Sequence, residues 1–456
     1  MAIERQKTLE QDKIKRRSNF EPVESNLTPE QVKLEASRCL NCKNPRCVQG
    51  CPVNIQIPQF ISAIKEDNIE KAGEIIRETS MLPSVCGRVC PQERQCEGNC
   101  ILGIKGSPVA IGALERYVGD NTKAASPEIK PSGKKVAVVG SGCAGITAAA
   151  DLRKEGHEVV VFEALHKLGG VLRYGIPPFR LPRVVLDREI ENLKNMGVKF
   201  HTNVIVGKSI TLKQLKEDGF DAIFICSGAG LPKMMNIKGE NLNGVFSANE
   251  FLTRVNLMQA GRENSPTPLK VGKSVAVIGG GNVAMDAART AVRVGFERVY
   301  IMYRRTEKEL PARLEEIRHA KEEGVIFEFL RAPIEIYDNE GYVAGMKFEV
   351  MDLGEPDASG RRRPVGTGVF EDLDVDTVIV ALGTGPNPII QKSAESEGLE
   401  IITDKRGYIT VDETRATNIP TVYAGGDVAP VGESNAINAM GAGKKAAKAI
   451  NDLLSK

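Results

Sequence analysis

The 456-residue sequence predicts an α/β protein in which a small helical domain precedes two units of alternating strands and helices. Eight of the ten cysteines fall between Cys39 and Cys100, in the helical region. Further on, the apolar stretches VAVV (136–139) and VAVI (275–278) each run into a glycine-rich turn, a helix and a second strand. Such alternation forms parallel sheets that helices cover on both faces.

Length and composition exclude several classes of protein. A chain of 456 residues is too long for one hydrophobic core, so about three domains are expected. Lysine plus arginine number 61 against 59 aspartate plus glutamate, a balance that gives no support to a nucleic-acid partner. The sequence has no apolar run of about 18 residues and no secretory signal at its start. We therefore expect a cytoplasmic protein that binds neither nucleic acid nor membrane.

The N-terminal region begins with about 25 polar and charged residues, which we expect to form a loosely held arm. Thr28 and Gln31 then have the spacing of a capping box, so a helix is predicted that carries the first cysteines at its C-terminal end. A second helix start is predicted at 67–70. The turn-rich stretch 122–133 ends this domain, which we place at residues 1–130.

The first glycine-rich turn has the spacing of a Rossmann-like dinucleotide site, G-x-G-x-x-G, directly after a strand. In such a loop the first glycine makes the turn, the second admits the pyrophosphate and the third lets the helix pack on the strand. An acidic residue ends the next strand and accepts the ribose hydroxyls. The residues predicted to bind here are Gly140, Gly142, Ala144, Gly145 and Glu163. We interpret Cys143, inside the loop, as a small packing residue.

Two further segments favour FAD at this first site. LGGVLRYGIPPFRLP (168–182) supplies the pair Gly169–Gly170 just beyond the acidic strand. TVYAGGDVAP (421–430) places Asp427 after a strand and two glycines, and a helix of small residues follows. In flavoproteins with two dinucleotide sites, such an aspartate binds the ribityl chain and the helix points its positive end at the flavin. The alternative for Asp427 is a turn residue at a strand end.

The second glycine-rich turn fits G-x-G-x-x-A, but its second strand ends in two arginines rather than an acid. An acid would repel a 2′-phosphate, whereas an arginine pair accepts it through charge-assisted hydrogen bonds. We predict NADP(H) at Gly279, Gly281, Asn282, Val283, Arg304 and Arg305. The alternative is an NAD(H) site beside solvated arginines. Met285–Asp286 either help to position the nicotinamide half or stabilise the helix N-terminus.

The clustered cysteines form two quartets, C-x2-C-x4-C-x3-C-P from Cys39 and C-x3-C-x5-C-x3-C from Cys86. Disulfide scaffolds belong to small secreted domains, and zinc sites use four ligands as separated pairs. The first quartet is a bacterial ferredoxin run with one gap widened, a pattern in which the fourth cysteine crosses to another cluster. Beyond residue 100 the chain has no C-x-x-C that could act as a redox dithiol, so these thiols are the obvious exit for electrons. We predict iron–sulfur clusters, with zinc as the alternative.

The quartets, the stretches SVCGRVCPQERQCEGNC and VAIGALERYVGD, and both glycine loops together resemble the NADPH-dependent glutamate synthase small-subunit family. The resemblance covers the chain from about residue 28. The family includes the large subunit of NADH-dependent ferredoxin:NADP+ oxidoreductase and the N-terminal half of dihydropyrimidine dehydrogenase. It implies two 4Fe–4S clusters, FAD and NADP(H) in one subunit, that is, a helical iron–sulfur domain followed by Rossmann-like FAD- and NADP-binding domains.

The resemblance also implies the ligands of each cluster. One cluster would be held by Cys39, Cys42, Cys47 and Cys100. The other would be held by Cys51, Cys90, Cys96 and Glu115, although counting cysteines alone would choose Cys86. A carboxylate ligand changes the charge of a cluster and hence its potential. The alternative for Glu115 is an ordinary glutamate on a helix surface.

We assign residues 131–250 and 385–456 to an FAD-binding domain and residues 251–384 to an NADP(H)-binding domain inserted in it. The predicted activity is hydride exchange with NADP(H) and transfer of single electrons through both clusters to or from a partner subunit. No acid–base residue is required.

The partner is predicted only by resemblance. The segment 168–182 looks more like the ferredoxin:NADP+ oxidoreductase large subunit, in which the two electrons of NADPH separate at the flavin, one towards ferredoxin and one towards NAD+ through a partner flavoprotein. The alternative is delivery to an FMN-bearing glutamate synthase large subunit. A binding or structural protein with zinc in its first domain is the alternative of a different class.

Overall fold

The computed structural model describes residues 3–124, 128–358 and 360–456. Its α-helices, in chain order, are α1 (Pro29–Ser37), α2 (Arg46–Gln49), α3 (Ile57–Lys65), α4 (Ile69–Thr79), α5 (Pro83–Val89), α6 (Ile111–Asn121), α7 (Cys143–Lys154), α8 (Val171–Tyr174), α9 (Arg183–Asn195), α10 (Leu212–Glu217), α11 (Ala248–Leu252), α12 (Asn282–Val294), α13 (Leu314–Glu322), α14 (Ile389–Ser396) and α15 (Ala436–Leu454). Its strands are β1 (Lys135–Val139), β2 (Glu158–Phe162), β3 (Lys199–His201), β4 (Ala222–Ile225), β5 (Leu231–Pro232), β6 (Val245–Ser247), β7 (Ser274–Ile278), β8 (Arg298–Tyr303), β9 (Ile326–Phe329), β10 (Arg331–Asn339), β11 (Tyr342–Pro356), β12 (Arg362–Leu373), β13 (Thr377–Val380), β14 (Thr384–Gly385) and β15 (Val422–Ala424).

The N-terminal domain consists of α1–α6, as the helical reading of this region predicts. The capping box predicted at the start of α1 is present, with both reciprocal hydrogen bonds. Helix α3 buries Ile57, Phe60, Ile61 and Ile64, whose i, i+3, i+4, i+7 spacing forms one apolar stripe. Helix α6 turns its buried face, which includes Glu115, into the same core.

Two five-stranded parallel sheets follow, as predicted from the alternation of strands and helices. The first has the order β15-β4-β1-β2-β3 and the second the order β6-β13-β7-β8-β9. The chain leaves the first sheet after β4, builds the second and returns to the first at β15. Where it crosses between the halves, the short strands β5 and β14 pair with each other. An antiparallel sheet, β10-β11-β12, is inserted between β9 and β13.

The exact domain boundaries stay predictions, and the strand pairing bears on one of them. Strand β6 pairs in parallel with β13 and so lies in the second sheet, although residues 245–247 precede the predicted boundary at 250. Among the described residues, no helix combines the length and the apolar character needed to cross a membrane.

The described part of the N-terminal arm, residues 3–25, is held against the rest of the protein, so the expectation of a loose arm is wrong. Arg16 is only 1% exposed and forms ion pairs with Glu10, Glu322 and Glu323. The backbone amide of Val23 donates to the carbonyl oxygen of Phe179 at 3.0 Å. Arg16 therefore meets charged partners on and just after α13 rather than water.

The ion pairs around Glu323 predict how stability depends on pH. Burial alone would raise the pKa of Glu323, but hydrogen bonds from Arg293 and Arg289 outweigh it and hold the pKa at about 2, against 4.5 for an ordinary glutamate. A carboxyl with a depressed pKa stabilises the fold above pH 4.5, and this contribution disappears as the pH falls towards 2.

We therefore expect Glu323→Gln to lower stability at pH 7 by about 3 kcal/mol and the deficit to shrink steadily below pH 4.5. Thermal unfolding of wild type and variant at a series of pH values measures it. Glu74→Gln, which breaks an exposed pair with Lys71, should change stability little at any pH. A deficit that stays constant from pH 7 to pH 3 would contradict the expectation.

Candidate redox sites

The first predicted set of cluster ligands lines a single pocket. Cys39, Cys42, Cys47 and Cys100 surround an empty space of about 570 Å³, part of it open to solvent. Burial, with smaller contributions from the neighbouring thiols of Cys39 and Cys100, raises the pKa of the Cys47 thiol to about 11. All ten cysteines are free thiols. Four thiols facing one space are a donor set that suits a 4Fe–4S cluster.

The second predicted set lies deeper in the N-terminal domain. Cys51, Cys90, Cys96 and Glu115 are all buried. Burial raises the pKa of the Cys96 thiol well above its usual range, and the nearby carboxylates and the Cys51 thiol add to the effect. Burial, with a smaller contribution from Glu115, raises the pKa of Cys51 to about 11. The structure therefore brings these four side chains together.

Glu115 is not a surface residue, so that alternative is wrong. Burial raises the pKa of its carboxyl to about 8, and its Oε1 atom is buried without a hydrogen-bond partner. An unpaired carboxylate oxygen inside a protein is costly, and a cation among the three thiols would satisfy it. The donor set present fits an iron–sulfur cluster.

Cys86 lies beside the same site but has other neighbours. Its Sγ atom is 3.5 Å from Sδ of Met440 on α15 and 3.9 Å from Oγ of Ser80. A hydrogen bond with Cys86 is also the largest cause that raises the pKa of Cys90. Proximity alone therefore leaves both Cys86 and Glu115 as candidates for the fourth ligand.

The first glycine loop has the close approaches that its spacing predicts. Gly140 has φ of 117°, a value that favours glycine. A methyl group on Gly145 would lie 2.0 Å from the carbonyl oxygen of Gly140, whereas a methyl group on Gly142 would meet nothing within 4 Å. The third glycine is thus needed for packing, and the second leaves room for a ligand.

Glu163 and the glycine pair converge on this loop. The Glu163 carboxylate accepts hydrogen bonds from the backbone amide of Ser141 at 3.0 Å and from its hydroxyl. The amide of Gly169 donates to the same hydroxyl at 2.9 Å. A methyl group on Gly170 would lie 3.0 Å from Cα of Gly142. Sequence positions 140–145, 163 and 169–170 therefore form one site.

Asp427 follows β15 and so lies at the same carboxyl edge of the first sheet as the first glycine loop, which follows β1. Burial raises the pKa of Asp427. Burial is the main cause that raises the pKa values of Cys143 and Tyr174, and the charge of Asp427 adds to both shifts. Asp427 therefore lies near both side chains. A methyl group on Gly443 would lie 2.3 Å from the Ala144 carbonyl oxygen, so α15 packs directly on α7. Cys143 is buried in this contact, in keeping with a packing role.

The second glycine loop has the same geometry. Gly279 has φ of 145°, and a methyl group on it would lie 2.5 Å from the Ala381 carbonyl oxygen. A methyl group on Gly281 would meet nothing within 4 Å. The Asn282 side chain accepts a hydrogen bond from the Arg313 amide at 2.9 Å, and Val283 is exposed. The loop is open where a pyrophosphate is predicted.

The two predicted arginines differ. Arg305 is buried and donates to Asp357 at 2.6 Å and to the Arg362 carbonyl oxygen at 2.7 Å. Arg304 is exposed. Asp357 was not identified from the sequence, because it lies more than 50 residues further along the chain and nothing near it marks it as a partner. Arg304 is therefore the member of the pair available to a ligand from solvent.

This difference predicts the effect of each substitution. Arg304→Ala should raise KM for NADPH about tenfold and leave KM for NADH nearly unchanged, because only NADPH carries the 2′-phosphate. Arg305→Ala should instead lower the melting temperature, since it leaves Asp357 without this ion pair. Steady-state kinetics with both nucleotides and thermal melting of both variants measure the two effects. Equal KM changes for NADPH and NADH in Arg304→Ala would contradict the assignment.

Asp286 binds a residue of the first half. Its two carboxylate oxygens accept hydrogen bonds from Nη1 of Arg180 at 2.8 and 2.7 Å. Neither sequence interpretation of Asp286 included this contact, because nothing in the pattern of 168–182 marks Arg180 as its partner.

Two sequence families match the chain. Residues 16–126 match the family described as dihydropyrimidine dehydrogenase domain II, 4Fe-4S cluster. Residues 134–443 match the pyridine nucleotide-disulphide oxidoreductase family.

Curated relatives match over most of the chain. The glutamate synthase [NADPH] small chain of Escherichia coli is 37% identical over 96% of this chain and 95% of its own length. The NADP(+)-dependent formate dehydrogenase subunit beta of Moorella thermoacetica is 39% identical over 90% of this chain, which spans 60% of that protein. The NADPH-Fe(3+) oxidoreductase subunit beta of Geobacter sulfurreducens is 37% identical over 90% of this chain and 64% of its own length.

Solved structures share the fold of the two larger domains. FprA of Mycobacterium tuberculosis in complex with NADPH superposes with a TM-score of 0.56 at 23% identity, over 72% of this chain and 84% of its own. Thioredoxin reductase of Lactococcus lactis gives a TM-score of 0.53 at 23% identity, over 71% of this chain and 99% of its own. With the sites and the matches together, the chain belongs to the NADPH-dependent glutamate synthase small-subunit family and is an FAD- and NADP-dependent oxidoreductase subunit with a 4Fe–4S domain.

Proposed function

We propose that this chain exchanges hydride with NADP(H) and passes single electrons through two 4Fe–4S clusters to or from a partner subunit. The observation that supports this best is the position of α15. One side of α15 packs on the first glycine loop through Gly443. Another part contacts the second cysteine set, through Met440 at Cys86 and through Gly441, where a methyl group would lie 3.1 Å from the Pro52 carbonyl oxygen. One helix thus contacts both the first glycine loop and the second cysteine set within residues 440–443.

The residues proposed to hold each group follow from the site geometry. The first loop, Glu163, Gly169–Gly170 and Asp427 would hold FAD, and the second loop with Arg304 would hold NADP(H). When bound, FAD would accept the two electrons of one hydride and release them one at a time. The clusters would supply the one-electron sites. The chain's own part is to orient these groups and keep them apart from water.

Two clusters rather than one are proposed because the donors separate into two groups in space. Cys39, Cys42, Cys47 and Cys100 share the outer pocket. Cys51, Cys90, Cys96 and Glu115 share the buried site. Each group offers the four donors that one cubane cluster needs.

The surface around the outer pocket supports electron exchange with a partner. Leu40, Ile101 and Ile104 are 61%, 48% and 67% exposed there. The flanking sequence stretches 38–50 and 98–108 contain basic residues and no acidic ones. An apolar patch with a positive rim suits an acidic partner whose redox group approaches the surface.

The partner we propose is a second electron-transfer subunit, in a complex of the NADH-dependent ferredoxin:NADP+ oxidoreductase type in which the two electrons of NADPH separate towards ferredoxin and NAD+. Subunit names among the relatives support a partner of some kind. The second candidate is a glutamate synthase large subunit, favoured by the match over 95% of the Escherichia coli small chain. The cytoplasmic localisation predicted from the sequence stays a prediction.

Anaerobic titration of the purified protein with NADPH tests the proposal. We expect bleaching of the flavin band and then EPR signals from two reduced clusters. Addition of ferredoxin and NAD+, or of 2-oxoglutarate and glutamine, to the protein copurified with its partner distinguishes the two candidates. Separation of electrons predicts that NADPH reduces ferredoxin only while NAD+ is present. Failure of NADPH to reduce the flavin would refute the proposed function, and glutamate formation would select the second candidate.

A further inference from the structure

Residues 174–181 form a link between the two nucleotide-binding halves. We call these residues the 174–181 segment. It joins α8 to α9 in the first half and begins inside the first site. Burial, with smaller contributions from Asp427 and Glu163, raises the pKa of Tyr174 to about 12, so the Tyr174 hydroxyl lies near two residues proposed to bind FAD.

Residues of the second half contact this segment at two points before Arg180. The side-chain amide of Asn256 donates to the carbonyl oxygens of Tyr174 and Gly175 at 3.2 and 3.1 Å. The Phe179 ring lies under the guanidinium groups of Arg289 and Arg293, at 4.6 and 3.9 Å from its centre. Both arginines belong to α12, the helix that starts at the second glycine loop.

Arg180 provides the third and strongest contact. Its Nη1 atom donates to both oxygens of Asp286, and its Nε atom lies 2.8 Å from Oε1 of Glu316. Asp286 lies one turn after Asn282, the first residue of α12. Because a helix moves as a rigid rod, any shift of the nucleotide end of α12 moves Asp286 with it.

Stability alone does not account for this pair. Taking both charges out of water costs several kcal/mol per ion, and well-packed apolar residues often do as well. A pocket of about 370 Å³, part of it open to solvent, also adjoins the contact and is bounded by Phe179, Arg180, Arg289 and Glu316 among others. The segment is thus held by directed polar contacts in addition to the packing of Phe179 and Leu181, and directed contacts suit a geometric role.

We propose that the Arg180–Asp286 pair positions the NADP(H) site against the flavin site, so that α12 and the 174–181 segment move together. This inference rests on the hydride exchange of the proposed function. Hydride transfer needs reacting atoms about 3–3.5 Å apart, and a misplacement of about 1 Å costs about a hundredfold in rate. Arg180 and Asp286 are positioning residues, since neither lies at the open end of a glycine loop.

Asp286→Asn in the full protein loaded with its cofactors tests the pair. We expect the first-order rate of flavin reduction at saturating NADPH to fall about 10- to 100-fold. The Kd for NADP+ should change less than about threefold, because the loop and Arg304 are untouched. Arg180→Gln should give the same separation of rate from affinity, and Asp286→Glu, which keeps the charge, should recover part of the rate.

The matched control is Asp120→Asn. Asp120 accepts hydrogen bonds from Nη1 and Nη2 of Arg88, at 2.9 and 2.6 Å, and one from Arg188 of α9 at 3.2 Å, so it too is a carboxylate held by arginines, but among the described residues it makes no contact with α12. Its loss should leave the rate of flavin reduction unchanged.

Hydrogen–deuterium exchange supplies a readout independent of turnover. NADP+ should slow exchange in the 174–181 segment of the wild type and have little effect there in Asp286→Asn. Wild-type rates of flavin reduction in Asp286→Asn and Arg180→Gln would overturn the inference. So would rates that fall only in proportion to lost FAD or weaker NADP+ binding. Failure of NADPH to reduce the wild type refutes the proposed function instead, and the exchange experiment then still decides whether the pair links the two sites.

Discussion

Gly145→Ala is expected to produce protein without FAD. The added methyl group would lie 2.0 Å from the carbonyl oxygen of Gly140, and both are fixed directly to the backbone of one tight turn. No side-chain rotation relieves such a contact, so α7 must move away from β1. Overpacking of this kind costs roughly 1–3 kcal/mol, which corresponds to a fall of about 5 °C in melting temperature. The ratio of flavin to protein absorbance and a thermal melt measure the two effects.

Gly142→Ala is the matched control in the same loop. A methyl group there meets no atom within 4 Å, so the protein should fold and melt like the wild type. It should nevertheless bind FAD weakly, because the methyl group stands where the pyrophosphate is predicted to approach the backbone. A Gly145→Ala protein with full FAD content, or a Gly142→Ala protein that melts early, would contradict this division of roles.

Glu115→Ala is expected to remove one of the two cluster EPR signals, and Cys86→Ser to leave both. The Glu115 carboxylate is buried with one oxygen unpaired, near the three thiols proposed to bind the second cluster. Cys86 also neighbours Cys90, but it has in addition the sulfur of Met440 and the hydroxyl of Ser80 as partners. Loss of a ligand changes the charge and symmetry of a cluster, so EPR of the dithionite-reduced variants and their iron content report it directly.

Glu35→Ala serves as the control for burial. Glu35 is also a buried glutamate of the N-terminal domain, but it accepts hydrogen bonds from Arg38, Gln6 and the Ala110 amide. Its loss should lower stability without removing a cluster signal. If Cys86→Ser abolishes a signal that Glu115→Ala retains, the ligand assignment must be exchanged.

Features that depend on a few consecutive residues were predictable. Both glycine loops, the capping box of α1 and the alternation of strands and helices are present where the sequence places them, because their geometry is local. The separation of the cysteines into an outer and an inner group follows the implied assignment in space, although the ligand roles themselves stay predictions. The clearest error concerned the N-terminal arm, which has the composition of a solvated segment and is held by Arg16.

The sequence by itself determined the kind of protein: two dinucleotide loops, an acid after one and arginines after the other, and eight thiols in two runs. Only the tertiary structure decided which charged groups are available. Arg305 is occupied by Asp357, Asp286 by Arg180, and the Glu115 carboxylate keeps an unpaired oxygen. The physical reason is that a motif specifies backbone geometry over a short stretch. The partner of a charge, in contrast, comes from wherever folding brings an opposite charge within 3 Å, often a hundred residues away.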